Sequence, residues 1–305
     1  MEEHTAGDPM SARKWTRRTT GQIAHELRRL RICISRRTVA RLLHRLKYSL
    51  RVNRKQLGSD SSPDRNRQFT SINRQRQRFR RRGDPIISVD TKKRELVGNF
   101  KNPGAKWDRT PVLVKDHDFR SDSVGIAIPY GVYDVLANRG FVQVGVSHDT
   151  PRFAVHAIAT WWRTEGRAHY PRQQRLLILA DTGGSNGYRC GAWKTELQRQ
   201  LCNRYGLTVT VAHYPTAASK WNPIEHRLFS EVSKHWAAEP LTTYAKILRF
   251  LRTTTTTTGL KVRAVFDRTT YPTKEKPDPH EVAAVALTPH KVLPKWNYTI
   301  TPQSA

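Results

Sequence analysis

The stretch "PIISVDTK", residues 85–92, decides how the rest of the chain is read. It is a short apolar run rich in β-branched residues that stops on Asp90, and it reads as a buried strand with a carboxylate at its end. Downstream, "GIAIPYGVYDVLA" and "GFVQVGVSHDT" read as two strands joined by the short turn "NRG". "PRFAVHAIATWWRTEG" follows as a helix with Pro151 in its first turn. Its apolar face is Phe153, Ala157, Ile158, Trp161 and Trp162, so the tryptophans are expected in the core. "RLLILADTGG" is a buried strand ending at Asp181, and "GAWKTELQRQLCNRYG" a helix closing on Gly206. "LTVTVAHYP" is another strand, and "NPIEHRLFSEVSKHW" starts a helix with Ile224, Leu228, Val232 and His235 or Trp236 on one side.

The order β-β-β-α-β-α-β-α is that of the ribonuclease H-like fold, an α/β class in which helices flank a mixed sheet. Three carboxylates fall where that fold places its acidic residues: Asp90 on the first strand, Asp181 after the fourth, Glu225 on a later helix. Such a set suits phosphodiester chemistry. Two hard divalent ions about 3.5–4 Å apart can serve both the attacking and the leaving oxygen. Mg²⁺, for which Mn²⁺ can substitute, takes oxygen ligands and keeps several waters, so a few carboxylates suffice. Asp90 is expected to bridge the two ions. Each residue also has a plainer role. Asp90 is a strand end, Asp181 opens the turn "TGGSNG", and Glu225 stands at N3 of a capping box with Asn222 as N-cap and Pro223 at N1. The three together outweigh these single roles. A carboxylate cannot cap and bind metal fully at once, so Glu225 is expected to cap only without metal.

Charge points the same way. Of 305 residues, 54 are Lys or Arg and 25 Asp or Glu, a formal net charge of +29. A balance this basic calls for a polyanion, with nucleic acid the first candidate. Residues 20–50 split into two amphipathic helical patterns, Ile23-Leu27-Leu30 and Val39-Leu42-Leu43-Leu46, with Ser35 as N-cap of the second. This is a helix-turn-helix candidate. Its second helix presents Arg36, Arg37, Arg41 and Arg45 to DNA. The expected organisation is a small all-α helix-turn-helix domain over 11–50, a basic linker over 51–83 and a catalytic domain over 84–300. Lys92 beside Asp90 is a further phosphate contact, and Asn186 in the glycine-rich loop is expected to form a turn. Cys33, Cys190 and Cys202 lack metal-ligand spacing and read as reduced thiols. No apolar run reaches 18 residues and no secretory signal opens the chain, so a cytoplasmic, nucleoid-associated protein without membrane contact is expected.

Several blocks are long and unusual: "ISVDTKKRELVGNFKN", "AIPYGVYDVLANRGFVQVG", "ILADTGGSNGYR", "SKWNPIEHRLFS" and "TTTTGLKVRA". Together they resemble the DDE transposases of bacterial insertion sequences, in the group called the Rhodopirellula-type transposase DDE domain. The resemblance runs from about residue 11 to "WNYTI". Thr182 stands where the family has glycine, and "PTAASKWN" replaces a "PPGTSKWN"-like stretch. The resemblance implies Mg²⁺-dependent strand transfer with the DDE residues at Asp90, Asp181 and Glu225. It also implies binding of double-stranded DNA at element ends and target, and homo-oligomers assembled on DNA. Two rivals stand beside it: a non-catalytic DNA-binding protein, which nicks nothing, and a nuclease of the same fold, which cuts without joining.

Overall fold

The computed structural model describes residues 18–48, 64–216, 218, 221–273 and 275–303, with the backbone alone of 5–7 and 14–16. The chain divides into two units, Met1–Gly58 and Ser59–Ala305.

In the first unit, strands β1 (Thr5–Gly7) and β2 (Lys14–Thr16) pair antiparallel. Two helices follow, α1 (Thr20–Arg29) and α2 (Arg36–Arg45). Thr19 and Gln22 close a capping box on α1. Ser35 caps α2 as its sequence predicts, accepting from the Thr38 N–H at 3.1 Å. Val39 is buried, while Leu30, Leu42 and Leu46 of the apolar stripes stay exposed. Arg36, Arg37, Arg41 and Arg45 all face solvent.

The second unit opens with α3 (Arg65–Arg82), over the part of the chain expected to be linker. Residues 49–63 of the expected boundary region lie outside the described residues. The basic composition of α3 hides a helical seam. Gln68, Ile72, Gln75 and Phe79 recur at helical spacing, and Gln68, Ile72 and Phe79 are buried. Gly83, at φ +69°, ends the helix in the left-handed conformation.

The strands are β3 (Ile86–Thr91), β4 (Glu95–Val97), β5 (Gly125–Asp134), β6 (Arg139–Gly145), β7 (Arg175–Ala180), β8 (Thr208–His213), β9 (Lys261–Asp267), β10 (Leu287–Pro289) and β11 (Asn297–Ile300). The helices are α4 (Pro151–Trp161), the short α5 (Arg167–His169), α6 (Gly191–Leu197), α7 (Ser230–His235), α8 (Tyr244–Thr253) and the short α9 (Pro279–Ala283). Among the described residues these nine strands form one sheet, ordered β10-β11-β8-β7-β3-β5-β6-β9, with β4 beside β5. Its centre is antiparallel from β3 through β5 to β6 and parallel from β3 through β7 to β8. This is the ribonuclease H-like arrangement predicted from the element order. The parallel strand β9 and the β10–β11 hairpin extend it at the two edges.

Strand parity sorts the two faces. Ile87, Val89 and Ile178 pack against Phe153, Ile158, Trp161 and Trp193 on the α4–α6 side. Ile86, Leu177 and Leu179 pack against Ile72 and Phe79 of α3 on the other. That same side continues into a cluster of Ile224, Leu228, Phe229, Val232 and Trp236 with α8. Trp236, not His235, takes the fourth apolar position of the helix after Pro223; His235 is exposed. With both faces covered, β7 after Arg175 reads as one unbroken apolar run. Among the described residues no helix is long and apolar enough to cross a membrane. All three cysteines are free thiols.

Candidate active site

Asp90 and Asp181 are neighbours because of register. β3 and β7 run parallel with Ser88 opposite Leu179. Two residues further on, Asp90 stands level with Asp181, on strands about 4.8 Å apart. Both belong to the parity that faces α3 and the helix after Pro223. That helix begins at Pro223, passes through a π turn at Glu225–Phe229 and continues as α7. All three carboxylates are half-buried.

Their charges share one field. Burial and the Asp181 carboxylate push Asp90 up to about 8, with Glu225 and Asp149 adding to the shift. Burial and the Asp181 charge raise Glu225, while His226 and Lys92 oppose the rise. Burial raises Asp181, and a hydrogen bond from Asn222 opposes it. Among the described residues no group of three or more His, Cys, Asp or Glu side chains stands close enough together to hold a metal ion. The donor chemistry still fits a hard divalent cation. Three carboxylates repel one another here, and an open carboxylate site leaves coordination positions for water and phosphate.

The start of the helix differs from the capping box expected at Asn222. Asn222 is fully buried and its side chain points into the sheet. Its Oδ1 accepts from the Ser88 hydroxyl, and its Nδ2 donates to Asp181 Oδ1 at 3.3 Å and to the Val89 carbonyl at 3.4 Å. The Ser88 hydroxyl itself accepts from the Ile224 N–H at 3.0 Å. A strand residue thus does the capping. This leaves the Asn222 amide free to tie the helix to Asp181, and Glu225 does not reach back to the Asn222 N–H.

A family profile described as the Rhodopirellula transposase DDE domain matches residues 1–302. The chain belongs to that family. No curated protein matches the chain. Among solved structures, similarity is found to a Mos1 transposase paired-end complex with left transposon end, at 16% identity and TM-score 0.47. It covers 77% of this chain and 65% of that one. A pre-cleavage Mos1 transpososome matches at 15% identity and TM-score 0.47, covering 77% and 66% of the two chains. A Mos1 mariner paired-end complex with Mn matches at 16% identity and TM-score 0.46, covering 77% and 65%. The chain thus spans about two thirds of the length of these Mos1 chains.

In this DDE-family chain, further side chains support the acidic residues. Asp149, just after β6, accepts from the Thr91 hydroxyl at 3.1 Å, and burial raises its carboxyl. The Thr91 N–H in turn donates to Asp90 Oδ1 at 2.8 Å. His213 is buried and pushed down to about 4, so it is neutral. Its Nδ1–H donates to the Asp181 carbonyl at 2.8 Å, and its Nε2 accepts from the Tyr298 hydroxyl at 3.1 Å. Trp193 Nε1–H completes the chain by donating to Tyr298 at 3.0 Å. Ser88 carries a signal in the sequence, standing two residues before Asp90 on the same strand face. Asp149, His213 and Tyr298 carry none, because their partners are distant along the chain.

Asn186 does more than the turn expected of it, and Lys92 is held in place by its neighbours. Asn186 is buried rather than a simple turn residue, and its Oδ1 accepts from the buried Tyr130 hydroxyl at 2.8 Å. Lys92 is not a solvated lysine. Its side chain is 10% exposed, its ammonium pairs with Glu95 at 2.6 Å and lies 4.6 Å from the Trp236 ring centre. A cleft of about 360 Å³ lined by Lys92, Lys93, Glu225, Ser230 and Trp236 opens beside it.

Glu225 reaches the sheet because Gly131, opposite Asp90 on β5, lacks a side chain. A Cβ there would lie 2.7 Å from Phe229 Cε1 and 2.8 Å from Ile224 Cδ1. Gly131→Ala is therefore expected to push the Glu225 helix outward, costing about 1–3 kcal/mol. Gly183→Ala, whose Cβ meets nothing within 4 Å, is the matched control. Thermal melts of both variants check this; equal behaviour would refute the close-packing role.

Proposed function

We propose that this chain is a transposase that cleaves DNA and transfers strands through Asp90, Asp181 and Glu225, with a divalent cation, Mg²⁺ or Mn²⁺, as cofactor. The observation that supports the reading is the electrostatic coupling of these carboxylates. Two come from adjacent central strands and one from the facing helix start, in a chain of a DDE family. When bound, two cations supply charge stabilisation to the attacking and leaving oxygens of the phosphodiester. Asp90, whose carboxyl feels both of the others, would hold the cations together with Asp181 and Glu225. Asn222 fixes the Asp181 oxygen, and the His213–Tyr298 pair fixes its backbone. Lys92, pinned beside Glu225, offers a fixed cation to a phosphate. The chain uses no covalent nucleophile: it positions a water first and the released 3′-hydroxyl second.

In the same reading, α1 and α2 form a helix-turn-helix that docks Arg36, Arg37, Arg41 and Arg45 against element ends, residues 11–50 are the binding part, the second unit with α3 is the catalytic part, and the protein assembles as a homo-oligomer on DNA at the nucleoid. The test uses full-length protein, a labelled element-end duplex, a target duplex and Mg²⁺. The expected result is a nick exposing a 3′-hydroxyl, then a joined product, with both lost in Asp90→Ala, Asp181→Ala and Glu225→Ala while end binding persists. Nicking without joining would favour a nuclease, and binding alone a non-catalytic DNA-binding protein.

A further inference from the structure

The longest helix of the second unit carries a strongly cationic groove that the carboxylates do not use. α3 contains eight arginines and no acidic residue. Arg67, Arg74 and Arg78 are spaced by 7 and 4 residues, which keeps them within about 40° of one line along the helix. A cleft of about 680 Å³ runs between this line and the segment after β10, where His290 and Lys291 form the opposite wall. No carboxylate lines it. Arg67 is partly neutralised by Asp64 at 2.9 Å. Among the described residues Arg74, Arg78 and Lys291 form no ion pair, and all three are exposed.

The groove is built into the sheet rather than hung from it. Gln68 Nε2 donates to the His213 carbonyl at 2.7 Å and to Asn297 Oδ1 at 3.0 Å, and Asn297 Nδ2 donates back to Gln68 Oε1 at 2.6 Å. His213 is the residue whose ring holds the Asp181 backbone. One end of α3 is therefore one side chain away from the catalytic strand end, and its arginine line leads off from there.

We infer that the α3 groove binds the phosphodiester backbone of duplex DNA flanking the scissile bond. The inference rests on the function proposed above and adds a site to it. Unpaired, solvent-facing guanidinium and ammonium groups along a rigid helix match a regularly charged backbone. The groove has no carboxylate to select against anions, and its apolar wall is confined to Pro289 and Val292. Such contacts position DNA without reading bases.

The test compares full-length wild type with Arg74→Ala/Arg78→Ala/Lys291→Ala. Binding of a labelled duplex is measured in EDTA from 50 to 300 mM salt. Each lost phosphate contact removes about 0.9 from the slope of log K against log salt. The expected slope is shallower by about 2 to 3, with affinity lower by roughly tenfold or more near 0.1 M salt. Arg199→Ala/Arg204→Ala, which removes surface charge away from the groove, is expected to keep the wild-type slope. Arg74→Gln/Arg78→Gln is a second groove variant in case the triple alanine melts early. An unchanged slope in both groove variants, an equal loss in the Arg199/Arg204 control, or a loss confined to single-stranded DNA would overturn the inference. Failure of the catalytic reading would look different: wild type would bind duplex but nick none in Mg²⁺.

Discussion

Asp90→Asn is expected to abolish nicking and joining, by at least ~10³-fold, and to raise the melting temperature of the metal-free protein at pH 8. The two effects share one cause. Asp90 is pushed up to about 8 in the folded chain, whereas an unfolded aspartate titrates near 4. Between those values the folded protein holds a proton that the unfolded chain has released. Wild-type stability therefore falls as pH rises through this window. Asparagine has no charge to strand there. The variant is expected to gain about 2 kcal/mol or more at pH 8 and nothing at pH 4. Mg²⁺ competes with that proton, so it is expected to stabilise wild type more at pH 8 than at pH 6, and to stabilise the variant far less. Melts at three pH values, with and without Mg²⁺, check this. A wild-type curve that is flat with pH, or an Mg²⁺ shift equal in both proteins, would remove Asp90 from the metal site.

Asn222→Ala is the second large effect. The carboxamide is wholly buried and bonds Ser88, Asp181 and Val89 at once. Alanine leaves buried polar groups without a partner and a small void among them. The expected cost is about 2–4 kcal/mol. Asp181 also loses the hydrogen bond that favours its charged form. The Mg²⁺ concentration needed for half-maximal nicking should rise, and nicking at saturating Mg²⁺ should fall roughly 10²-fold. A helix-capping role alone would lower stability without moving the Mg²⁺ requirement, so the titration separates the two. Ser88→Ala should show the reverse balance, since its hydroxyl caps Ile224 and only indirectly steadies Asp181.

The site is legible in the sequence as far as its chemistry is local. A strand that stops on an acid, an acid before a glycine-rich turn and an acid after Asn-Pro are each signalled by neighbouring residues. The element order then brings them to one sheet edge. The same local rules mislead at α3 and at Asn222. Arginine density conceals the spacing of Gln68, Ile72, Gln75 and Phe79, because composition reports solubility while packing depends on one face. Asn222 fits an N-cap so well that its longer-range partners have no signal of their own.

The strand and helix order, the positions of Asp90, Asp181 and Glu225, and a charge that demands a polyanion all follow from the amino-acid sequence. They rest on periodicity, turn residues and counting, which need only near neighbours. It took tertiary contacts to make Ser88 cap the helix, to join that helix to Asp181 through Asn222, to let Glu225 approach over Gly131, and to place α3 in the second unit. Each of these depends on which buried polar or apolar surface meets which. Residues 88 and 222, or 131 and 229, come together only when the whole sheet has formed.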